Sequence, residues 1–275
     1  MRILRTLSLL LAVFTAAALA APKERITIKG SDTMVILVQK WSELYPGKNI
    51  EFQVTGGGSG TGIAALLNGT TDICSSSRPI KPKEVAMLRE KFNYRGMEVR
   101  IARDGLSVYV NEKNPVRSLT LEQVRLIFTG KIRNWKEVGG PNAPIILYSR
   151  ENSSGTYEFF KEHVLKKQDF APQSQHMAGT AALINAVSKD RNSIGFGGAA
   201  YLAGVKALSI AVDASSAAVA PSKETILDGS YPISRFLYFY LNKRPTGSIK
   251  KFIDWVISPQ GQAIVSDVGY YPITK

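Results

Sequence analysis

Strand-like and helix-like segments alternate along most of this chain, and that alternation is its strongest constraint. "RITIK" (Arg25 to Lys29) has the period-two pattern of a half-buried strand. "MVILVQKWSELY" then carries apolar residues at helical spacing and stops before Pro46 and Gly47. "NIEFQVT" reads as a strand, "IAALLNG" as a helix ended by Gly69, and "TDICSSS" as a strand running into a loop. After a helix begun at Pro82 come a strand near Met97 to Ala102 and a second strand, "LSVYVN". The pattern then resumes. "LTLEQVRLIF" is a helix with a threonine cap, "APIILYS" a strand, and "YEFFKEHVL" and "TAALINAVSKD" are helices. "SIGFGG" and "ALSIAVD" are strands, a short helix begins at Pro221, and "SRFLYFYLN" is an intense strand pattern. The closing stretch is helical with a break at Pro259. This order predicts an α/β fold with a largely parallel sheet covered by helices.

Four loops in this frame share one composition: "GSDT" (Gly30 to Thr33), "GGGSGTG" (Gly56 to Gly62), "SSSR" (Ser75 to Arg78) and "RENSSGT" (Arg150 to Thr156). Each follows a predicted strand, and three lead directly into a helix. A helix N-terminus has unpaired N–H groups and a partial positive charge, which together suit an anion. Glycine lets a ligand approach the backbone, serine and threonine add donors, and Arg78 and Arg150 each offer a planar fork to an oxyanion. A single loop of this kind is ordinarily just a helix cap. Four of them, two with an arginine, point to one small anion held beyond the carboxyl ends of the strands.

Other chemistries fit poorly. In "GGGSGTGIAA" the spacing of Gly57 and Gly62 matches the start of a P-loop, but Ile63 stands where the lysine is needed. No register gives a dinucleotide fingerprint. Ser59 lacks the final glycine of a nucleophile elbow, and only His163 and His176 are available as bases. Two histidines and one cysteine argue against a zinc or copper centre. Cys74 permits no internal disulfide and reads as a small buried apolar residue. The formal net charge of +13 suits an anionic partner, but the lysines and arginines are scattered and no nucleic-acid-binding signature appears.

Residues 1–20, "MRILRTLSLLLAVFTAAALA", have a basic start, a short apolar stretch and a small-residue end. They read as a signal peptide cleaved after Ala20 or Ala21. The rest should be an exported, soluble protein without a lipid anchor.

The segments "GSDTM", "GGGSGTGI", "SSSRPI", "LTLEQVRLIFTGKIRNWKEVGG" and "SRENSSGT" resemble the periplasmic phosphate-binding proteins of bacterial phosphate ABC transporters. The resemblance runs over almost the whole mature chain in matching motif order. It implies a two-lobed periplasmic binding protein fold of type II, a Venus flytrap with two inter-lobe crossovers near Asp104 and Ser234. Lobe 1 would comprise residues 21–103 and 235–275, and lobe 2 residues 104–234. The implied ligand is inorganic phosphate, delivered to a membrane permease by a monomer that needs no cofactor and catalyses nothing. Implied phosphate ligands are Ser31 and Thr33, Ser59 with Thr61, and Arg150, Ser154, Gly155 and Thr156; Ser76 and Ser77 stand with them in the third loop, where Arg78 either adds positive charge for the anion or salt-bridges elsewhere. Many family members carry an aspartate where Ser77 stands, which accepts the proton of hydrogen phosphate and repels sulfate. Asp32 is the substitute candidate here. Two alternatives stay open: a binder of another tetrahedral oxyanion such as sulfate, molybdate or tungstate, and an exported phosphate-ester hydrolase using Ser59.

Overall fold

The computed structural model describes residues 23–273, so the expected signal peptide lies outside the described residues. The strands are β1 (Glu24–Gly30), β2 (Ile50–Thr55), β3 (Ile73–Ser76), β4 (Met97–Asn111), β5 (Ser118–Thr120), β6 (Ile146–Arg150), β7 (Gln175–Met177), β8 (Ser193–Gly198), β9 (Val205–Ala207), β10 (Ser209–Ala211) and β11 (Ser234–Leu241). The helices are α1 (Val35–Leu44), α2 (Ser59–Asn68), α3 (Pro82–Phe92), α4 (Leu121–Phe128), α5 (Gly155–His163), α6 (Thr180–Lys189), α7 (Lys223–Leu227), α8 (Gly247–Val256) and α9 (Pro259–Val268). One long sheet runs in the order β2-β1-β3-β11-β4-β8-β6-β7, with β9 added beside β4, and β5 pairs with β10 separately.

The sheet is mixed, which corrects the expectation of a largely parallel one. The outer strands pair in parallel, β1 with β2 and β3, and β6 with β7 and β8. At the centre β11 runs antiparallel to both β3 and β4, and β4 antiparallel to β8. The helix-crossover rule that predicts parallel pairing holds only for strands joined by a helix on the same face. β4 and β11 are partners from distant parts of the chain.

β4 also corrects the expected pair of strands. It is continuous for fifteen residues. Its first half, Met97 to Gly105, pairs with β11, and its second half, Leu106 to Val110, pairs with β8. Arg103 to Gly105 read as a break because they are polar or lack a side chain. Asp104 is instead buried and paired in register with Arg235, so the strand runs through. Conversely, "ALSIAVD" is split into the short β9 and β10, and α7 starts at Lys223, after a Ser222 cap, instead of at Pro221.

The largest buried clusters divide at β4. One gathers Ile26, Trp41, Ile101, Leu237, Phe239, Phe252 and Val265. The other gathers Leu106, Val108, Phe128, Trp135, Phe160, Phe196 and Ile226. Each is sealed by a helix whose apolar stripe matches its strand faces. α1 buries Leu37, Val38 and Trp41, and the Trp41 Nε1–H donates to Gly261 O (2.8 Å), tying α1 to α9. In the second cluster Phe160 stacks on Phe196 at a ring separation of 3.9 Å, with Phe128 edge-on to both. The capping expectations hold: Thr120 caps α4, and α8 ends just before Pro259 opens α9. Two lobes therefore each have their own core and share β4 as their seam, with β11 starting beside the point where β4 passes between them.

Candidate anion-binding site

The four glycine- and hydroxyl-rich loops lie at the ends of β1, β2, β3 and β6, and the structure brings the core of each to one place between the lobes. From the first loop, Ser31 and Thr33 are about 1 % exposed, and Thr33 Oγ1 lies 2.9 Å from Thr156 Oγ1 of the opposite lobe. Ser59 opens α2 and is fully buried. Its hydroxyl accepts from the Ser77 N–H (3.0 Å) and sits 3.3 Å from Ser77 Oγ. Ser154 caps α5, its oxygen accepting from the N–H groups of Thr156 (3.2 Å) and Tyr157 (3.3 Å). Gly155 follows, so close to lobe 1 that a Cβ there would collide with Ser59 Oγ and lie 2.8 Å from Ser77 Oγ. Gly58 serves the same approach from the other side: it has φ +93°, and the neighbouring Gly60 N–H donates across the cleft to Ser153 O (2.9 Å).

Arg150 ends β6 and is 2 % exposed. Its guanidinium donates to Asp32 Oδ2 (2.7 Å), Thr180 Oγ1 (2.9 Å) and Met177 O (3.3 Å). Asp32 Oδ1 in turn accepts from the Gly57 N–H (2.7 Å). Asp32 is therefore no solvated helix cap; it pins the first loop, the second loop and the lobe 2 arginine together. Burial pushes Arg150 below its ordinary pKa, the Asp32 carboxylate opposes this, and the positive charge of Arg235 adds to the push.

Three residues expected at the site are engaged elsewhere. Thr61 turns its hydroxyl back to Gly57 O (2.7 Å), a bond within its own helical turn. Ser76 Oγ donates to Arg78 O (2.8 Å) and closes the turn after β3. The Arg78 fork does not face the cluster: it takes Glu84 through two bonds (2.9 and 2.7 Å) and Glu158 at 3.0 Å. Glu84, six residues on, also accepts from the Lys81 N–H as part of the α3 start, so the nearer carboxylate captured the fork. Glu158 lies on α5, and it pairs with Lys81 as well, so these charges link the two lobes.

Sequence reasoning missed Asp104 and Arg235. They are 0 % and 1 % exposed in their side chains and form a buried ion pair at the seam, Arg235 Nε and Nη2 donating to Asp104 Oδ2 (3.0 and 2.8 Å). Arg235 Nη2 also donates to Thr156 Oγ1 (3.0 Å). Arg235 stood inside an apolar strand run, 131 residues from its partner, so no local pattern marked it. Cys74 is buried and unpaired, and burial pushes its thiol far up. Among the described residues no cluster of side chains could hold a metal ion.

The arrangement presents hydroxyls, helix-start N–H groups and a guanidinium from two lobes towards one small volume, which suits a compact anion with several acceptor atoms. A family model described as the PBP superfamily domain matches residues 15–260. The phosphate-binding protein PstS of Pseudomonas aeruginosa is 35 % identical over 265 residues, covering 89 % of this chain and 81 % of that protein. Among solved structures, a chain described as a phosphate ABC transporter substrate-binding protein from Clostridium perfringens, with phosphate bound, superposes with a TM-score of 0.84. It is 31 % identical and covers 91 % of this chain and 100 % of its own. An ABC-type phosphate transport receptor from Vibrio cholerae gives a TM-score of 0.71 at 28 % identity, covering 90 % of this chain and all of its own.

Proposed function

This chain belongs to the PstS family of phosphate-binding proteins within the PBP superfamily, and from that premise we propose that it captures inorganic phosphate between its lobes and delivers it to an ABC-transporter permease. The observation that carries this reading is the meeting of Thr33 and Thr156 hydroxyls from opposite lobes, beside Ser59 and the start of α5. Phosphate is gripped by Ser31, Thr33 and Ser59 of one lobe and by Arg150, Ser154, Gly155 and Thr156 of the other, with Ser77 closing the third side. The lobe boundaries fall at 103/104 and 234/235, where the chain passes along β4 and into β11. Open lobes admit the anion; closure excludes water, and the lower dielectric strengthens each charged hydrogen bond, worth about 1.5–3 kcal/mol apiece.

We read the site as one of binding without turnover, in keeping with the phosphate-binding proteins it resembles, with the Ser59 hydroxyl engaged by the Ser77 N–H and Oγ. The protein works as a monomer in the periplasm after its leader is removed, without nucleic acid. Among the described residues no helix is long and apolar enough to cross a membrane.

Asp32 carries a second role in this reading. It holds Arg150, and as a carboxylate beside Thr33 it accepts the proton of hydrogen phosphate, which sulfate lacks. Competition dialysis with phosphate, arsenate and sulfate tests both points. Phosphate and arsenate should displace one another and sulfate should not; displacement by sulfate at equal concentration would contradict a phosphate site. Asp32→Asn should narrow the preference for phosphate over sulfate, and an unchanged ratio would confine Asp32 to holding Arg150.

A further inference from the structure

We infer that Arg235 is a second guanidinium ligand of the bound oxyanion, positioned by Asp104 and reaching it through Nη1. The inference rests on the phosphate reading above and adds a residue to it. A guanidinium is planar, with N–H groups along one side edge and across its end. In Arg235 the side edge is used up: Nε and the inner Nη2 hydrogen meet Asp104 Oδ2 at 3.0 and 2.8 Å. The remaining Nη2 hydrogen therefore belongs to the end edge, and it donates to Thr156 Oγ1 at 3.0 Å. In a planar guanidinium the Nη1 hydrogen of that same edge runs parallel to it, and Thr156 is the residue whose hydroxyl meets Thr33 of the opposite lobe. Nη1 is buried and has no hydrogen-bond partner among the described residues. A buried, charged donor without an acceptor is costly, and one aimed at a candidate anion site acquires its acceptor when the anion arrives.

The surroundings leave little freedom to this fork. Asp104 is itself fixed, its Oδ1 accepting from the Ala199 N–H at 3.1 Å. The Phe159 ring of α5 lies 5.5 Å from the guanidinium carbon, and Asp104 and Arg235 are register partners in β4 and β11. Arg235 thus sits on the seam, rigidly oriented, and touches the lobe 2 residue that meets Thr33 of lobe 1. The charges of Arg150 and Arg235 act on one another. Asp32 and Asp104 neutralise one each. The donors that remain suit a multiply charged tetrahedral anion with two acceptor edges, one for each guanidinium.

The test is calorimetric titration of the mature chain with inorganic phosphate, beside Arg235→Lys and the double variant Arg235→Gln with Asp104→Asn. The double variant removes both buried charges together, so no orphan carboxylate is left to unfold the seam. Its thermal midpoint without phosphate should stay close to that of the unaltered chain, while its phosphate affinity falls about ten- to hundredfold. Arg235→Lys keeps a charge for Asp104 but cannot offer two parallel N–H groups, so it too should bind more weakly and should gain less thermal stability from added phosphate. A phosphate-bound crystal structure should place Nη1 within hydrogen-bond distance of a phosphate oxygen. Equal affinity in the unaltered chain and the double variant, or an Nη1 bonded only to protein or water in the complex, would overturn the role of Arg235 while leaving the phosphate reading intact. Failure of the unaltered chain itself to bind phosphate would overturn both.

Discussion

Thr33 and Thr156 stand 123 residues apart in the chain, yet their hydroxyl oxygens are 2.9 Å apart across the cleft. At the scale of single residues the site depends on such close approaches, and Gly155 is the tightest of them. Any side chain there meets Ser59 and Ser77 of the other lobe. Gly155 is the first residue of α5, where alanine is well tolerated by the helix itself. Gly155→Ala should therefore fold with a thermal midpoint near that of the unaltered chain but close poorly. A loss of phosphate affinity of about tenfold or more is expected by calorimetry. Unchanged affinity would mean that the lobes do not need to approach this closely. The Ser59, Ser154 and Gly155 loops were legible in the sequence because capping and glycine chemistry are local. Of the two readings open for Arg78 the structure takes the salt bridge, because its fork is decided by Glu84 and by Glu158, a residue on a helix of the other lobe that no spacing connects to it.

At the scale of elements, α3 and α5 are held together across the cleft by charge. Arg78 is bracketed by Glu84 at the start of α3 and Glu158 on α5, and Lys81 joins the same group. Glu158→Gln removes the carboxylate that both cations share. Because the pair is partly exposed, its contribution is about 1 kcal/mol. Phosphate affinity should fall about fivefold and the faster dissociation should be visible in stopped flow. No change in the dissociation rate would show that these charges do not stabilise the closed form. Acid should loosen the same group. Burial opposes ionisation of Glu84, but the hydrogen bonds and charge of Arg78 and the Lys81 N–H outweigh it and hold its carboxyl below the ordinary 4.5. A lowered folded value means that the native state binds fewer protons than the unfolded one. The contribution is thus complete above the ordinary value and is lost as pH falls through the folded one. Urea unfolding of the unaltered chain and Glu84→Gln should differ at neutral pH and converge in acid, as pH falls from the ordinary 4.5 through the lower folded value. A gap that persists in acid would contradict the direction assigned to Glu84.

At the scale of the whole molecule, two lobes with separate cores share β4, and the site lies where β4 passes from one core to the other beside the start of β11. The helix and strand content was legible because apolar periodicity is strong in α1, α4, α8 and β11. The family resemblance implied crossovers near Asp104 and Ser234, but the buried ion pair there was not legible: Asp104 and Arg235 look like a loop aspartate and a stray arginine until β4 and β11 are paired in register. The antiparallel centre of the sheet was hidden for the same reason, since sequence pattern shows which residues form strands but not which distant strand each one joins.

The central claim is that donors from both lobes hold one phosphate. Its most direct measurement is calorimetric titration of phosphate into the unaltered chain, Thr33→Val from one lobe and Arg150→Met from the other. The expected result is one phosphate per chain, with affinity weakened by each substitution and weakened most by the loss of the Arg150 charge. A stoichiometry other than one, or affinity that responds to substitutions in only one lobe, would contradict it.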